Sequence, residues 1–143
     1  NLAQDSLASM YFYGYGIEQS YKEAVHWWHK AAEQGHSDAQ ARLGYIYRSG
    51  KAAEKDETES IKWFRMAATQ GHIDAQQNLG LMYASGQGVP QDYVSAYVWW
   101  FRARKQGSKT AERNLTMLQP LMSQEEVSKA QQKISEEQQP TVK

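Results

Sequence analysis

A chain of 143 residues with 16 basic and 16 acidic side chains carries no formal net charge, which argues against a nucleic-acid backbone as its partner, because such binders show a clear basic excess. It contains no cysteine, so neither a disulfide framework nor thiol chemistry is open to it. Apolar residues make up 41% of the chain, yet no run approaches the roughly 18 to 20 residues of a membrane-spanning helix, and no membrane insertion is expected.

The apolar residues recur with a fixed period of 36: Leu7, Leu43, Leu79 and Leu115; Tyr11, Tyr47 and Tyr83; Trp27, Trp63 and Trp99; Gly14, Gly50 and Gly86; Gly35, Gly71 and Gly107. Self-similarity of this length marks a repeat array whose units bury their apolar faces only against one another. The chain begins at Asn1, already inside the first copy, as a segment trimmed from a longer protein would.

In the first copy a helix ends near Gly14, where glycine suits a left-handed C-cap. The loop GYGIEQS (14–20) follows. Ser20, with Glu23 three residues on, has capping-box spacing. The second helix carries Ala24, Trp27, Trp28 and Ala31 and stops at Gly35. Small residues one turn either side of a large aromatic predict a knob set between two hollows.

The second copy opens on Asp38, predicted as an N-cap, with Asp74 and Thr110 in the equivalent places. Ala39, Leu43, Ile46 and Tyr47 form an apolar stripe. Gly44, like Gly80 in the third copy, interrupts a helix at a cost of about 1 kcal/mol against alanine. Ala8 stands there in the first copy, so the position is predicted to lie against a very close neighbouring helix. Asp56 and Glu59 repeat the capping-box spacing before Ser60, Trp63, Phe64 and Ala67. Ala52 and Ala53 replace the glycine and branched residue of the other loops, and an altered loop is expected here.

The third copy repeats the scheme through Gly86, the loop GQGVPQD, Asp92 and the Ala96, Trp99, Trp100, Ala103 helix. Trp63 and Trp99 are expected to be buried. The fourth copy is half present: Ala111 and Leu115 hold register, then Gln119-Pro120 breaks the helix. Ser123 and Glu126 start a last helix with Val127, Ala130 and Ile134 on one face. The expected organisation is three repeats (about 1–36, 37–72 and 73–108) plus a fourth first helix to 119, a capping helix over 120–135, and a disordered tail over 136–143.

These residues resemble the Sel1-like repeat, a relative of the tetratricopeptide repeat. Ala75, Leu79, Gly80, Tyr83, Gly86, Gly88, Val89 and Asp92 follow the first half of the family pattern; Lys22-Glu23-Ala24, Trp27, Lys30-Ala31-Ala32 and Gly35 follow the second. The resemblance spans about residues 3 to 119. It implies an all-α, right-handed α/α solenoid of antiparallel helix pairs, and a bacterial protein that is exported or periplasmic. It further implies that the first helices of the pairs line a concave groove. The first-helix positions that vary between copies are then the partner-binding candidates: Tyr13, Arg42, Tyr45, Arg48, Asn78, Leu81 and Arg113. Arginine, tyrosine and asparagine supply rigid contact area and charge-assisted hydrogen bonds, and the three arginines point to a partner with an acidic segment.

Other chemistry is poorly supported. His26, His29 and Glu33 have the spacing of metal ligands on one helix face, but Lys62, Arg65, Val98 and Phe101 replace the histidines in later copies. No metal and no cofactor are expected. The Gly14-Tyr15-Gly16 and Gly86-Gln87-Gly88 loops lack the Gly-Lys-Ser/Thr signature and a preceding strand. His36 and His72, in the turns between repeats, are expected to make local hydrogen bonds. The leading expectation is a non-enzymatic module binding a protein or peptide. Two alternatives are a secreted enzyme acting on cell-wall or β-lactam substrates, whose relatives carry helix-bridging cysteines that this chain lacks, and a structural segment that self-associates through an open N-terminal end.

Overall fold

The computed structural model describes residues 2–138, and every regular element among them is helical. In chain order these are α1 (Leu2–Tyr13), α2 (Tyr21–Glu33), α3 (Ser37–Ser49), α4 (Glu57–Thr69), α5 (Ile73–Ser85), α6 (Tyr93–Lys105), α7 (Lys109–Leu118), a single 3₁₀ turn (Gln119–Leu121) and α8 (Gln124–Gln138). The chain divides into two compact units, 1–75 and 76–143, with the boundary in the first turn of α5.

In the first unit α1 packs on α2, α2 on α3, and α3 on α4. Its core is built from Ala8, Ala24, Trp28, Ala31, Ala39, Leu43, Ile46 and Trp63. The second unit packs α6 against α7 and α8, around Leu79, Met82, Trp100, Leu115, Leu118, Ala130 and Ile134.

The glycine punctuation is observed as expected at the helix ends. Gly50 caps α3 with φ 73° and donates its N–H to Ile46 O; Gly14 and Gly86 follow α1 and α5 with φ 75° and 76°. Gly16 and Gly88 are also left-handed, whereas no described non-glycine residue has positive φ. The second loop therefore closes without the second left-handed residue, and Ala52 and Ala53 pack against the core instead.

The close approach predicted from Gly44 and Gly80 is present in each unit. A Cβ on Gly44 would stand 2.6 Å from the Phe64 ring, and one on Gly80 would stand 2.4 Å from Trp100 Nε1. Ser60, buried on α4, donates its hydroxyl to Gly44 O at 2.7 Å. Trp100 Nε1 donates to Gln77 O at 3.0 Å.

Second-helix caps follow the sequence reading. Ser20, Asp56 and Asp92 accept from the backbone N–H of Glu23, Glu59 and Ser95. Their own N–H groups donate to Tyr11 O, Tyr47 O and Tyr83 O across the loops, which leaves Glu23 and Glu59 no capping-box return bond to make. Among the described residues the full reciprocal box forms before α8, between Ser123 and Glu126.

Three expectations need correction. Asp38, Asp74 and Thr110 are not N-caps: α3 is capped at His36 and α7 at Ser108, while Ala75 N–H, in the first turn of α5, donates to His72 Nδ1 at 3.1 Å. The helices begin two residues earlier than the aspartates suggest, and Asp38 and Asp74 act in the first turn, where a carboxylate favours the positive helix end. Trp99 is only partly buried. The second residue of each aromatic pair, Trp28, Phe64 and Trp100, is buried in every copy, and Phe64 and Trp100 each meet the glycine of their partner helix. Trp63 is the buried first-of-pair exception at 4% exposure, with His29 packed edge-on against it at 5.5 Å. Lastly, α8 starts at Gln124 and runs to Gln138, so residues 136–138 are helical; residues 139–143 lie outside the described range.

Candidate partner-binding face

The first-helix residues of the first unit create two hollows that share one ridge. Arg42 and Tyr45 lie one turn apart on α3 and form the ridge. On one side Phe12, Tyr13, Trp28 and Ile46 join them around a hollow of about 110 Å³. On the other, Asp38, Ala41, His72 and Asp74 join them around a polar hollow of about 280 Å³.

Each ridge residue is held from beneath. The Arg42 guanidinium lies 5.4 Å over the Trp28 ring, with Asp5 at 3.7 Å, and its side chain keeps 41% of its surface open. Tyr45, 43% exposed, stands edge-on against Phe64 at 5.2 Å. Tyr13 stacks on Tyr15 at 5.4 Å and meets Phe12 edge-on at 5.0 Å. Such aromatic pairs add roughly 0.5–1.5 kcal/mol beyond area burial, so the exposed rings are pre-placed.

In the polar hollow His72 Nε2 lies 3.0 Å from Asp38 Oδ1, while its Nδ1 accepts from Ala75 N–H. An Nδ1 that accepts carries no proton, so the ring is the Nε2–H tautomer donating to the Asp38 carboxylate.

The second unit has a hollow of about 240 Å³ between α5, α6 and α7, lined by Leu81, Tyr93, Trp100, Asn114, Met117, Leu118 and Leu121 with Ala84. Leu81, Met117 and Leu121 stand 39%, 71% and 64% exposed. Trp100, Asn114, Met117 and Leu118 stand two repeat lengths after Trp28, Arg42, Tyr45 and Ile46. The two units thus use one register to build the same kind of hollow, cationic and aromatic in one, aliphatic in the other.

Of the sequence candidates, the structure gathers Tyr13, Arg42 and Tyr45 around the first hollow and places Leu81 in the wall of the last. Arg48 and Asn78, both partly buried, and the exposed Arg113 line none of these hollows. Sequence reasoning missed Trp28 and Trp100 as floors, Met117 and Asn114 as walls, and Asp38 and His72 as a pair. The register signal was available for Met117 and Asn114, since they repeat the positions of Tyr45 and Arg42.

Of the two α2 histidines, His29 serves packing, whereas His26 is exposed. His29 Nε2 meets the Tyr47 hydroxyl at 2.7 Å; burial holds its pKa below the ordinary 6.5, against the opposing pull of Glu33 and Glu59. Burial also raises Tyr47 above 10.0, as do Glu59 and Asp56. Among the described residues no cluster of three or more His, Asp or Glu is disposed to hold a metal ion, and no helix is long and apolar enough to cross a membrane.

A family model for the Sel1 repeat matches residues 1–36, 37–72 and 73–108. Among solved structures, the fold is similar to a Sel1 repeat protein from Oxalobacter formigenes (TM-score 0.76, 42% identity, covering 80% of this chain and 86% of that one). It is likewise similar to c5321, described as a protective antigen present in uropathogenic Escherichia coli strains and displaying an SLR fold (TM-score 0.74, 42% identity, 76% of this chain and 23% of that one). Cysteine rich protein B of Helicobacter pylori shares the fold at 24% identity (TM-score 0.63, 66% of this chain and 71% of that one). No curated protein matches. With the family model covering three consecutive 36-residue copies and the helix pairs built around its recurring Leu, Gly, Tyr and Trp positions, the chain belongs to the Sel1 repeat family.

Proposed function

We propose that this chain is an adaptor or scaffold that holds a peptide or partner surface against the first-helix faces of its units. Sel1 repeat proteins are generally protein-interaction modules without catalytic activity. The observation that carries the reading is the Arg42–Tyr45 ridge: a partly exposed arginine side chain and an exposed phenol ring, held by Asp5, Trp28 and Phe64, with a hollow on each side. Rigid aromatic and arginine side chains beside a small cavity form the centre of many protein interfaces. Packing accounts for the residues that recur in every copy; it does not require Arg42 or Tyr45, which take other identities at the same register elsewhere.

The test is capture of partners from the source cells with the immobilised chain, with an Arg42→Glu/Arg48→Glu variant and an outer-wall variant (His26→Ala/Arg65→Ala) in parallel. The reading expects specific partners retained by the outer-wall variant and reduced more than tenfold by the arginine reversal. Retention by the arginine variant with loss from the outer-wall variant would move the working surface to the second helices.

A further inference from the structure

Among the described residues three aromatic side chains are exposed, and all three gather at one place in the first unit. Tyr13, at the end of α1, is 50% exposed, Tyr15, in the loop after it, 66%, and Tyr45, on α3, 43%. Tyr13 and Tyr45 line the same hollow of about 110 Å³, with Phe12, Trp28, Arg42 and Ile46. Tyr13 is held by Tyr15 and Phe12, and Tyr45 by Phe64. The hollow is therefore a narrow slot with preset aromatic walls. The repeat does not require them: Ser49 and Ser85 stand at the register of Tyr13, and Leu81 and Met117 at that of Tyr45.

Three features limit what can fill it. The first is size. About 110 Å³ is well below the roughly 300–1,000 Å³ of small-molecule sites, so the slot suits one compact side chain. The second is charge. Arg42 is the one charged lining residue, and Asp5 stands 3.7 Å from it. Lys51 Nζ lies 5.4 Å from the Phe12 ring centroid, and Glu18 is in the loop whose Gln19 bonds to Phe12 O. Cation and carboxylate are interleaved around the slot, which favours an uncharged insertion. The third is hydrogen bonding. Arg42 and Trp28 can only donate. Trp28 Nε1 and Arg42 Nε are buried without an acceptor, and Asp5 Oδ1 without a donor, whereas Trp100 Nε1, at the register of Trp28, gives to Gln77 O. Nearby carbonyls are taken: Met10 O by the Gly14 and Tyr15 N–H groups, Tyr11 O by Ser20 N–H, Phe12 O by Gln19 Nε2 and Ile46 O by Gly50 N–H. The slot offers donors and few acceptors.

We propose that this slot takes a proline ring from a polyproline II segment of a partner protein. Such a segment has no internal hydrogen bonds and a fully solvated backbone, and its prolines carry no N–H. It therefore brings acceptors to a donor-lined slot, and few donors that would need acceptors there. The compact pyrrolidine ring packs flat against aromatic walls, as in other aromatic-lined grooves that dock proline-rich chains. Its fixed φ leaves little conformational freedom to lose on binding. The Tyr13 hydroxyl and the Arg42 side chain donate to carbonyls beside the seated proline, and Tyr15 lengthens the wall. This rests on the first-helix face being the working surface, and it names the partner's chemistry at one place on that face.

The experiment is selection of 12-residue peptides from a phage-displayed library on the immobilised chain, followed by fluorescence-anisotropy titration of a synthesised winner. The expected winners carry two prolines three residues apart, which share one side of a polyproline II helix. Binding should fall more than tenfold with Tyr13→Ala and with Tyr45→Ala, both at exposed positions on different helices, so that a folding defect in one variant leaves the other informative. Tyr13→Phe, which keeps the wall and loses the hydroxyl, should cost less than Tyr13→Ala. Winners without proline enrichment, or insensitive to both alanine variants, overturn the proposal. Chitohexaose, a neutral oligosaccharide able to stack on tyrosine rings, should leave the bound winner in place; displacement by it would assign the slot to sugars and overturn the proposal. If proline-free winners lose binding with Arg42→Glu/Arg48→Glu, the first-helix reading stands and the polyproline reading falls. If winners lose it only with His26→Ala/Arg65→Ala, both fall.

Discussion

Phe64 rests on Gly44 so closely that a Cβ there would sit 2.6 Å from its ring, and Ser60 bonds to the same Gly44 carbonyl. Gly44→Ala therefore sets a helix-propensity gain of about 1 kcal/mol against overpacking of roughly 1–3 kcal/mol. The obstructing atoms belong to a buried ring, so overpacking should win. Thermal melting should show a net loss, partly recovered by Phe64→Leu. A Gly44→Ala protein more stable than its parent would show that α3 and α4 separate freely.

Trp100 and Trp99 should behave differently under truncation. Trp100→Ala removes a ring that is 5% exposed and the hydrogen bond its Nε1 gives to Gln77 O. The expected cost is about 3–5 kcal/mol, as for other large core truncations. Trp99 has Arg102 at 4.3 Å over its face and is only partly buried, so Trp99→Ala should cost clearly less in a denaturant titration. Equal losses would overturn the division of labour within the pair.

Gly50, at φ 73°, caps α3 and would carry a Cβ 3.1 Å from Lys55 Cβ. Gly50→Ala should destabilise by about 1 kcal/mol or more, with Gly86→Ala, at φ 76°, showing a comparable loss in the same chemical-denaturation assay.

Stability should fall in mild acid through His29. Its pKa in the folded chain is below 6.5, so the unfolded state binds the proton more readily. The contribution is complete above the unfolded value and is lost as pH falls below about 6.5 towards the folded value. His29→Gln, which can still bond to Tyr47, should remove this dependence from melting temperatures measured between about pH 7.5 and about pH 5. Asp92 acts in a lower window: burial pushes its carboxyl up, but hydrogen bonds from the Ser95 N–H and hydroxyl, the charge of Lys133 and the Val94 N–H together hold it below 3.8. Its contribution is present above that value and disappears only in stronger acid.

The 36-residue period made the helices, their glycine ends and the close crossings at Gly44 and Gly80 legible, because each depends on local chemistry or on a side chain too small to be chosen otherwise. The helix starts were misjudged at Asp38 and Asp74: the sequence offered an aspartate with good capping chemistry, and the turn at His36 and His72 was already tight enough to begin the helix earlier. The choice between Trp99 and Trp100 turned on a rotation of about 100° per residue, which a pattern of two adjacent tryptophans does not settle. The ridge of Arg42 and Tyr45 could be read from variation between copies. The hollows beside it could not, since they arise where side chains from different helices fail to meet.

Gln40, almost fully buried, donates to Ala32 O at 3.1 Å and accepts from Gln70 at 2.8 Å. In the second unit Gln76 accepts from Gln106 in the same way. The bond from Gln40 back to the preceding copy ends on a main-chain carbonyl and asks nothing of that copy's side chains. The amide it accepts from travels within its own 36 residues. The second copy thus brings this bond of its joint with the first, and a duplicated copy would keep it whatever side chains its new neighbour carried, whereas the Arg42–Asp5 pair and the His29–Tyr47 contact across the same joint need a matching side chain. An ion pair such as Arg42–Asp5 needs both partners at each added joint; this amide needs only the residues of its own copy and a main-chain carbonyl that every copy has.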